Sequence, residues 1–319
     1  MARTSRRKNG IEPCNLTLVY NLDNGTNYID IARSLSRVNR KLFRQGRLYA
    51  IGGMTFQWKG AAQTNNLVVS VSTAPNSWVV RNSWTKGCAL WRQMQDLVLD
   101  DNPSLKGKWH DFKVQLDSGQ ISGNTRDVQN WEGFPAAGAP YAPGEWNMST
   151  YVMPQHEVDP ATGLPLPAQE FDAVLIGLDT SSKKSLVNAY QESRAQVQAA
   201  PALDPGMSTS FFNLLTDTGS QEPELADLIA DENDDAPYDK DDYPGGNVNA
   251  IAPQVQHIQT VSAFAPTGHI GGFVAPCGLV QINTAGLDAN GDYIAAPDDV
   301  KLVVHIVPGP YRGVLAEAM

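Results

Sequence analysis

The sequence predicts an all-β protein, an antiparallel β-sandwich with inserted helices and long loops. Three observations predict it. Short runs in which apolar and polar residues alternate recur along the whole chain. Turn-forming residues, 27 Gly and 21 Pro, are spread over its length instead of gathering in linkers. No βαβ alternation, Gly-rich phosphate loop or internal repeat is present. The chain has 319 residues, 42% hydrophobic and 18% charged, enough for one large β-domain with a real core.

The elements follow in chain order. Residues 1–13 read as a short basic arm and 14–319 as the body. CNLTLVY (14–20) reads as a strand. Residues 27–44 read as a helix, because Tyr28, Ile31, Leu35, Val38 and Leu42 recur at three- and four-residue spacing. Thr26 or Asn27 caps it, Asp30 lies near its positive end, and Gln45-Gly46 ends it. Strands are expected at 47–58, 65–73 and 77–84, then a short helix at 87–99 with Trp91, Met94, Leu97 and Val98 on its apolar side. Residues 108–116 alternate again and read as a strand. Residues 130–150 are rich in Gly, Pro and aromatics and read as a loop, with a strand emerging at 145–155. DPATGLP (159–165) is a turn, 170–178 a strand and 181–198 a helix that Pro201 stops. Strands at 257–265, 271–283, 293–296 and 300–309 complete the chain. Asn290-Gly291 marks a hairpin turn before 293–296.

Charge is divided unevenly. The net charge is −10. Residues 1–60 hold eleven Lys and Arg against Glu12, Asp23 and Asp30, a surplus of eight, so the remainder carries −18. Residues 217–246 hold eleven acids and one base, Lys240, and read as an acidic loop insertion. A basic start on an acidic body suggests one surface that meets a polyanion and another that faces away from it.

The expected helix sharpens this. Arg33, Arg37, Arg40 and Arg44 recur at i, i+4, i+7 and i+11, a second stripe beside the apolar one. Like charges at i, i+4 destabilise a helix unless an anion is near. Arginine pairs bidentately with phosphate, so a line of four tracks a phosphate backbone without reading bases. The competing reading is a solvated helix face.

Catalytic signatures are thin. The five histidines, His110, His156, His257, His269 and His305, are dispersed. His110 and Asp111 are adjacent on an expected strand and so face opposite ways. DENDD (231–235) offers oxygen ligands for Ca²⁺, but a solvated acidic loop explains it better. Asp288, Asn290 and Asp292 resemble the start of an EF-hand loop but lack its Gly and final Glu, and suit a hairpin better. GHIGG (268–272) lacks a strand-to-helix context, and no GxSxG elbow occurs. Cys14, Cys88 and Cys277 are far apart and read as buried or half-buried thiols. Trp78, Trp84, Trp91 and Trp109 suit a core or a subunit interface equally. No apolar run is long enough to cross a membrane, and the basic N-terminus leads into no signal-type apolar region, so synthesis is expected to be intracellular. No enzyme activity, metal or cofactor is expected.

Leu35-Ser36-Arg37-Val38-Asn39-Arg40-Lys41-Leu42-Phe43-Arg44-Gln45-Gly46, leading into a strand, resembles a segment in capsid proteins of small circular single-stranded DNA viruses that encode a replication initiator. The plan of a short basic N-terminus and a β-rich body with acidic outer loops is similar to theirs. The resemblance implies a single antiparallel jelly roll, icosahedral self-assembly and packaging of a single-stranded DNA genome. Arg3, Arg6, Arg7, Lys8, Arg33, Arg37, Arg40, Lys41, Arg44 and Arg47 are then the nucleic-acid-binding residues, contacting phosphates without sequence preference. It implies as partners further copies of the chain, single-stranded nucleic acid and, through exterior loops, a host receptor. Its places are the virion and, during assembly, the host nucleus or cytoplasm. The alternative is a β-sandwich binding module, such as a virion or phage appendage that recognises carbohydrate through the aromatic loop. A hydrolase on a β scaffold is the third reading.

Overall fold

The computed structural model describes residues 14–58, 66–104, 111–120, 124–130, 138–142, 146–153, 161–163, 169–180, 182–195, 252–262, 264–288, 290–295 and 300–309. Its elements are β1 (Thr17–Leu22), β2 (Gly25–Asp30), α1 (Ile31–Asn39), β3 (Leu48–Trp58), β4 (Asn66–Thr73), α2 (Trp78–Asp101), β5 (Gln129–Asn130), β6 (Ala139–Pro140), β7 (Thr150–Met153), β8 (Gln169–Val174), β9 (Lys183–Ser185), α3 (Leu186–Ala195), β10 (Gln254–Ser262), β11 (Thr267–Ile270), β12 (Phe273–Pro276), β13 (Leu279–Leu287), β14 (Tyr293–Ile294) and β15 (Val300–Ile306). The basic arm and the acidic insertion at 217–246 lie outside the described residues.

Most of the structure is two antiparallel sheets. One runs β1-β15-β3, with β11 and β12 both along β3; the other runs β10-β4-β13, with β2 and β14 both along β13. Alternation sets which side chains meet between them. In β4, Leu67, Val69 and Val71 are fully buried while Asn66, Val68 and Ser70 are half-buried on the other side. They join Leu18 and Tyr20 of β1, Phe56 of β3, Ile282 of β13 and Leu302 and Val304 of β15 in one apolar core. Fully burying side chains of this size stabilises by roughly 1.5–3 kcal/mol each.

The pairing has a mirrored order. Strand β1 pairs with β15, β2 with β13, β3 with β11 and β12, and β4 with β10, all antiparallel. With the two-residue β14 set aside and β11 and β12 taken as one position, the first thus meets the last, the second the next to last, and so on inward. Two further antiparallel pairings, β15 with β3 and β13 with β4, join these ribbons into the two sheets.

Everything between β4 and β10 is an insertion. It carries α2, α3 and a three-stranded sheet ordered β7-β8-β9. Its own apolar cluster takes in Val80, Cys88, Leu90, Phe112, Tyr151, Phe171, Leu186 and Val187. Tyr28, Cys277 and Leu279 of the two-sheet body share that cluster, so the insertion is packed onto one end of the body.

Several expectations need correction. The helix expected at 27–44 is only α1. Residues 27–30 pair with β13, and Asp30, not Thr26 or Asn27, is the N-cap, accepting from the Arg33 N–H at 2.9 Å. The helix ends at Arg40 in the left-handed conformation (φ 53°). There Ser36 Oγ accepts the Phe43 N–H at 2.9 Å and turns the chain back. Gly46 is not the helix stop; a Cβ there would collide with the Trp84 ring.

The strand expected at 77–84 is the first two turns of α2. Ser77 caps it, accepting the Val80 N–H, and Val80, Ser83, Gly87 and Trp91 are buried at helical spacing. Tertiary burial of that stripe overrides the β preference of Trp78-Val79-Val80. Residues 111–116 form no full strand, but Gln115 makes a parallel bridge to Val174, and the Leu175 and Ile176 N–H groups donate to the Gln115 and Leu116 carbonyls. Phe112, Lys113, Val114, Gln115 and Leu116 are all buried, so both faces are covered. Side chains satisfy much of the backbone: Ser149 Oγ, Gln45 Oε1 and Gln120 Oε1 accept from the N–H groups of Lys113, Val114 and Leu116.

The single strand expected at 271–283 is β12 and β13. They are split at Cys277 and Gly278, whose φ values are 57° and 70°, and lie in different sheets. The helix expected at 181–198 begins only after β9. The Asn290-Gly291 hairpin is present: Gly291 has φ 90°, and β14 pairs with β13. Asp288 Oδ1 accepts the N–H groups of Asn290 and Asp292, which accounts for those acids as turn formers. Cys88 and Cys277 are buried, whereas Cys14 is exposed.

Candidate nucleic-acid interface

Helix α1 lies in the connection from β2 to β3 and buries Ile31, Ala32 and Leu35. Its start is fixed by Asp30, which is fully buried. One Asp30 oxygen accepts the Arg33 N–H; the other accepts Gln45 Nε2–H at 3.2 Å and Trp146 Nε1–H at 3.0 Å. Burial raises the Asp30 pKa above the ordinary carboxylate value, and these three donors and the Arg33 charge act against the rise. Trp146 is therefore a structural partner of the helix start, and Lys113 Nζ sits 4.9 Å over its ring.

The arginine stripe divides in two. Arg33 and Arg37 do not stand out into solvent. Both reach one carboxylate oxygen, Asp127 Oδ1, at 2.8 and 2.5 Å. The Arg37 side chain is only 8% exposed and its Nε has no hydrogen-bond partner, whereas Asp127 is 41% exposed. Burial lowers the Arg33 pKa, the neighbouring Arg37 charge lowers it further, and Asp127 and Asp30 oppose both. The like-charge cost expected between these two helix neighbours is thus answered by an anion within the chain.

The other half is more open at Arg40 than at Arg44, whose Nε is shut off from solvent. Arg40 and Arg47 are exposed, Lys41 is half-buried, and Arg44 lies 3.9 Å from Asp111. Burial raises the Asp111 pKa, with the charge of Arg44 opposing it. Arg3, Arg6, Arg7 and Lys8 lie outside the described residues, but the root of their segment is placed. The Asn15 N–H donates to Asn39 Oδ1 at 2.6 Å, and Asn39 Nδ2–H donates to the Asn15 carbonyl at 3.0 Å. The chain therefore enters β1 beside the last residue of α1, next to Arg40.

Asp127 was not legible as a site residue. It belongs to a strap, residues 124–130, that runs along the edges of both sheets. The strap bridges Tyr28 of β2 at Thr125 and Tyr20 of β1 at Val128. The Tyr28 N–H donates to the Asn124 carbonyl and the Arg126 N–H to the Tyr28 carbonyl. Arg126 also pairs with Asp23. The like-charged arginines signal that an anion is needed; nothing in the sequence says which one.

The described histidines have separate neighbours. His305 Nδ1 is 3.3 Å from Thr17 Oγ1, His269 Nδ1 is 3.1 Å from Thr55 Oγ1, and His257 lies against Phe273. His110, His156, Trp109 and the 231–235 acids lie outside the described residues. Among the described residues, no group of His, Cys, Asp and Glu is arranged to hold a metal ion, and no helix is long and apolar enough to cross a membrane. Neither a family model, a curated protein nor a solved structure matches this chain.

Proposed function

We propose that this chain is a capsid subunit with a single jelly-roll body, which self-assembles into a closed icosahedral shell and packages single-stranded DNA through its basic residues. The observation that carries the reading is the mirrored pairing. Eight strand positions matched first to last, then rolled so that alternate pairs fall in opposite sheets, are what a jelly roll requires, and viral shells use that architecture. The order β1-β15-β3-β11 in one sheet and β2-β13-β4-β10 across the other supports it.

The chemistry at α1 supports the packaging half. Arg40 and Lys41 follow Asn39, beside which the chain enters β1, and Arg47 is exposed a few residues further on. Phosphate contacts of this kind give sequence-independent binding that weakens with salt. Apolar surface supports the assembly half: Ile258 on the edge strand β10 is 66% exposed and Phe264 just beyond it 88%. The carbohydrate-binding alternative loses ground, because Tyr141 and Trp146 of the aromatic loop pack against the core.

The test is negative-stain electron microscopy of the purified protein, with absorbance at 260 and 280 nm on the same fraction. Uniform closed shells carrying nucleic acid are expected. A folded small particle with no shells across salt and pH would overturn the reading. Replacing Arg40, Lys41 and Arg47 together with alanine is expected to make the salt dependence of log K for oligothymidylate shallower by about 2, at about 0.7 for each phosphate of a single strand that is no longer neutralised. An unchanged slope would remove these three from the interface.

A further inference from the structure

The Arg33–Arg37–Asp127 cluster has the composition of an anion site rather than of an ordinary ion pair. Two guanidinium groups share one carboxylate in direct contact; Asp30, the other acid acting on Arg33, bonds its backbone N–H and not its guanidinium. Both take the same oxygen, Oδ1, at 2.8 and 2.5 Å. Arg37 is more than nine-tenths buried and still has an unpartnered donor at Nε. Buried guanidinium donors are usually satisfied, and the fork geometry of arginine suits an acceptor with several charged oxygens. One carboxylate oxygen is a poor match for two forks.

We propose that Arg33 and Arg37 form a phosphate site that Asp127 fills as an internal stand-in, and that a backbone phosphate of single-stranded nucleic acid takes its place. The inference rests on the packaging reading and adds to it a latch. A phosphodiester presents two non-bridging oxygens that share its one negative charge, one for each guanidinium, where Asp127 offers Oδ1 alone to both. The exchange needs only a side chain to turn. Asp127 is 41% exposed and so already reaches solvent. The strap backbone stays held by the Tyr28–Asn124, Arg126–Tyr28 and Tyr141–Val128 hydrogen bonds. Arg40, the C-cap of α1, is exposed three residues beyond Arg37. Without nucleic acid, Asp127 keeps two adjacent arginines from repelling each other; with it, the strand is held by a site that is otherwise closed.

The experiment compares the full chain with Asp127→Asn, which keeps the shape and removes the charge. Two probes are used: inorganic phosphate, followed by thermal shift and calorimetry, and oligothymidylate, followed by fluorescence anisotropy. Asp127→Asn is expected to bind oligothymidylate about tenfold tighter than the unaltered chain, the scale of one charge-assisted hydrogen bond regained. It is also expected to gain a phosphate-dependent rise in melting temperature that the unaltered chain lacks. A folded Asp127→Asn protein that binds both probes no better would overturn the proposal and leave Asp127 a structural ion pair.

If that variant does not fold, Arg33→Gln in the unaltered background decides. It leaves the Arg37–Asp127 pair in place, and the latch requires weaker oligothymidylate binding, with the salt slope shallower by about 0.7. Unchanged binding overturns it. The phosphate probe separates the two readings. Phosphate gained by Asp127→Asn in a protein that forms no shells keeps the site and sinks the capsid. Shells with nucleic acid and no gain in Asp127→Asn keep the capsid and sink the latch.

Discussion

Replacing Phe112 with alanine is expected to lower the unfolding free energy by about 4 kcal/mol, the upper part of the range for emptying a buried aromatic position. Phe112 is 1% exposed and stands at the centre of the insertion's core. Its ring centroid lies 5.7 Å from that of Trp84, 5.9 Å from Trp91 and 6.1 Å from Tyr151, and Tyr151 in turn stacks on Phe171 at 5.4 Å. Alanine there removes the ring that joins α2 to β7 and β8. The cavity cannot close easily, because Trp84 and Trp91 are held by their helix and Tyr151 donates its hydroxyl to the Gly87 carbonyl at 2.6 Å. Phe112→Leu retains most of the volume and is expected to cost under about 1.5 kcal/mol. Denaturant titration followed by tryptophan fluorescence measures both. A loss below about 1 kcal/mol for Phe112→Ala would mean that the insertion repacks without this ring.

Asp30→Ala is expected to cost about 3 kcal/mol. Three donors lose their acceptor at once: the Arg33 N–H at the first turn of α1, Gln45 Nε2 and Trp146 Nε1. Loss of an N-cap costs about 1 kcal/mol, and each buried donor left unpaired about 1–3 kcal/mol. Gln45 retains its bonds to the Val114 backbone, which limits the total. Asp30→Asn keeps one acceptor oxygen but turns an NH₂ toward two donors, so it falls between the two proteins.

The same residue sets a pH dependence. Burial holds the folded pKa of Asp30 above that of the unfolded chain, which is about 3.9. Between the two values the native state keeps a proton that the unfolded state has released. The stability contributed by this protonation is therefore complete below the unfolded pKa and is lost as pH rises through the folded pKa. The gap in stability between the unaltered chain and Asp30→Ala should shrink from acidic toward neutral pH. Urea midpoints taken across that range check it, and a gap that widens instead would mean that the ionised form is the one the fold favours.

The capsid reading makes the strap more than packing. Residues 124–130 come from the insertion yet lie against β1 and β2, the outer strands of the two sheets on that side. They also carry the carboxylate that faces the arginine pair. The insertion, the sheet edges and the basic helix therefore meet around Asp127.

Sequence alone was enough for the class of the fold and for much of its strand inventory. β3, β4, β15 and the hairpin into β14 are each written locally, as apolar residues every second position or as a turn that demands a positive φ. The apolar face of α1 was legible for the same reason, since Ile31 and Leu35 need only their own spacing. Tertiary structure decided the rest. Trp78-Val79-Val80 looks like a strand until the buried stripe of α2 is in place. Tyr28 and Ile31 fit both a helix and a strand running into one, and pairing with β13 chose the second. The mirrored strand order, and the choice of Asp127 as the anion for Arg33 and Arg37, join residues about ninety or more positions apart. Periodicity states which face of an element is to be buried. It carries no address for what will bury it, because that is settled only when distant segments compete for the same surface.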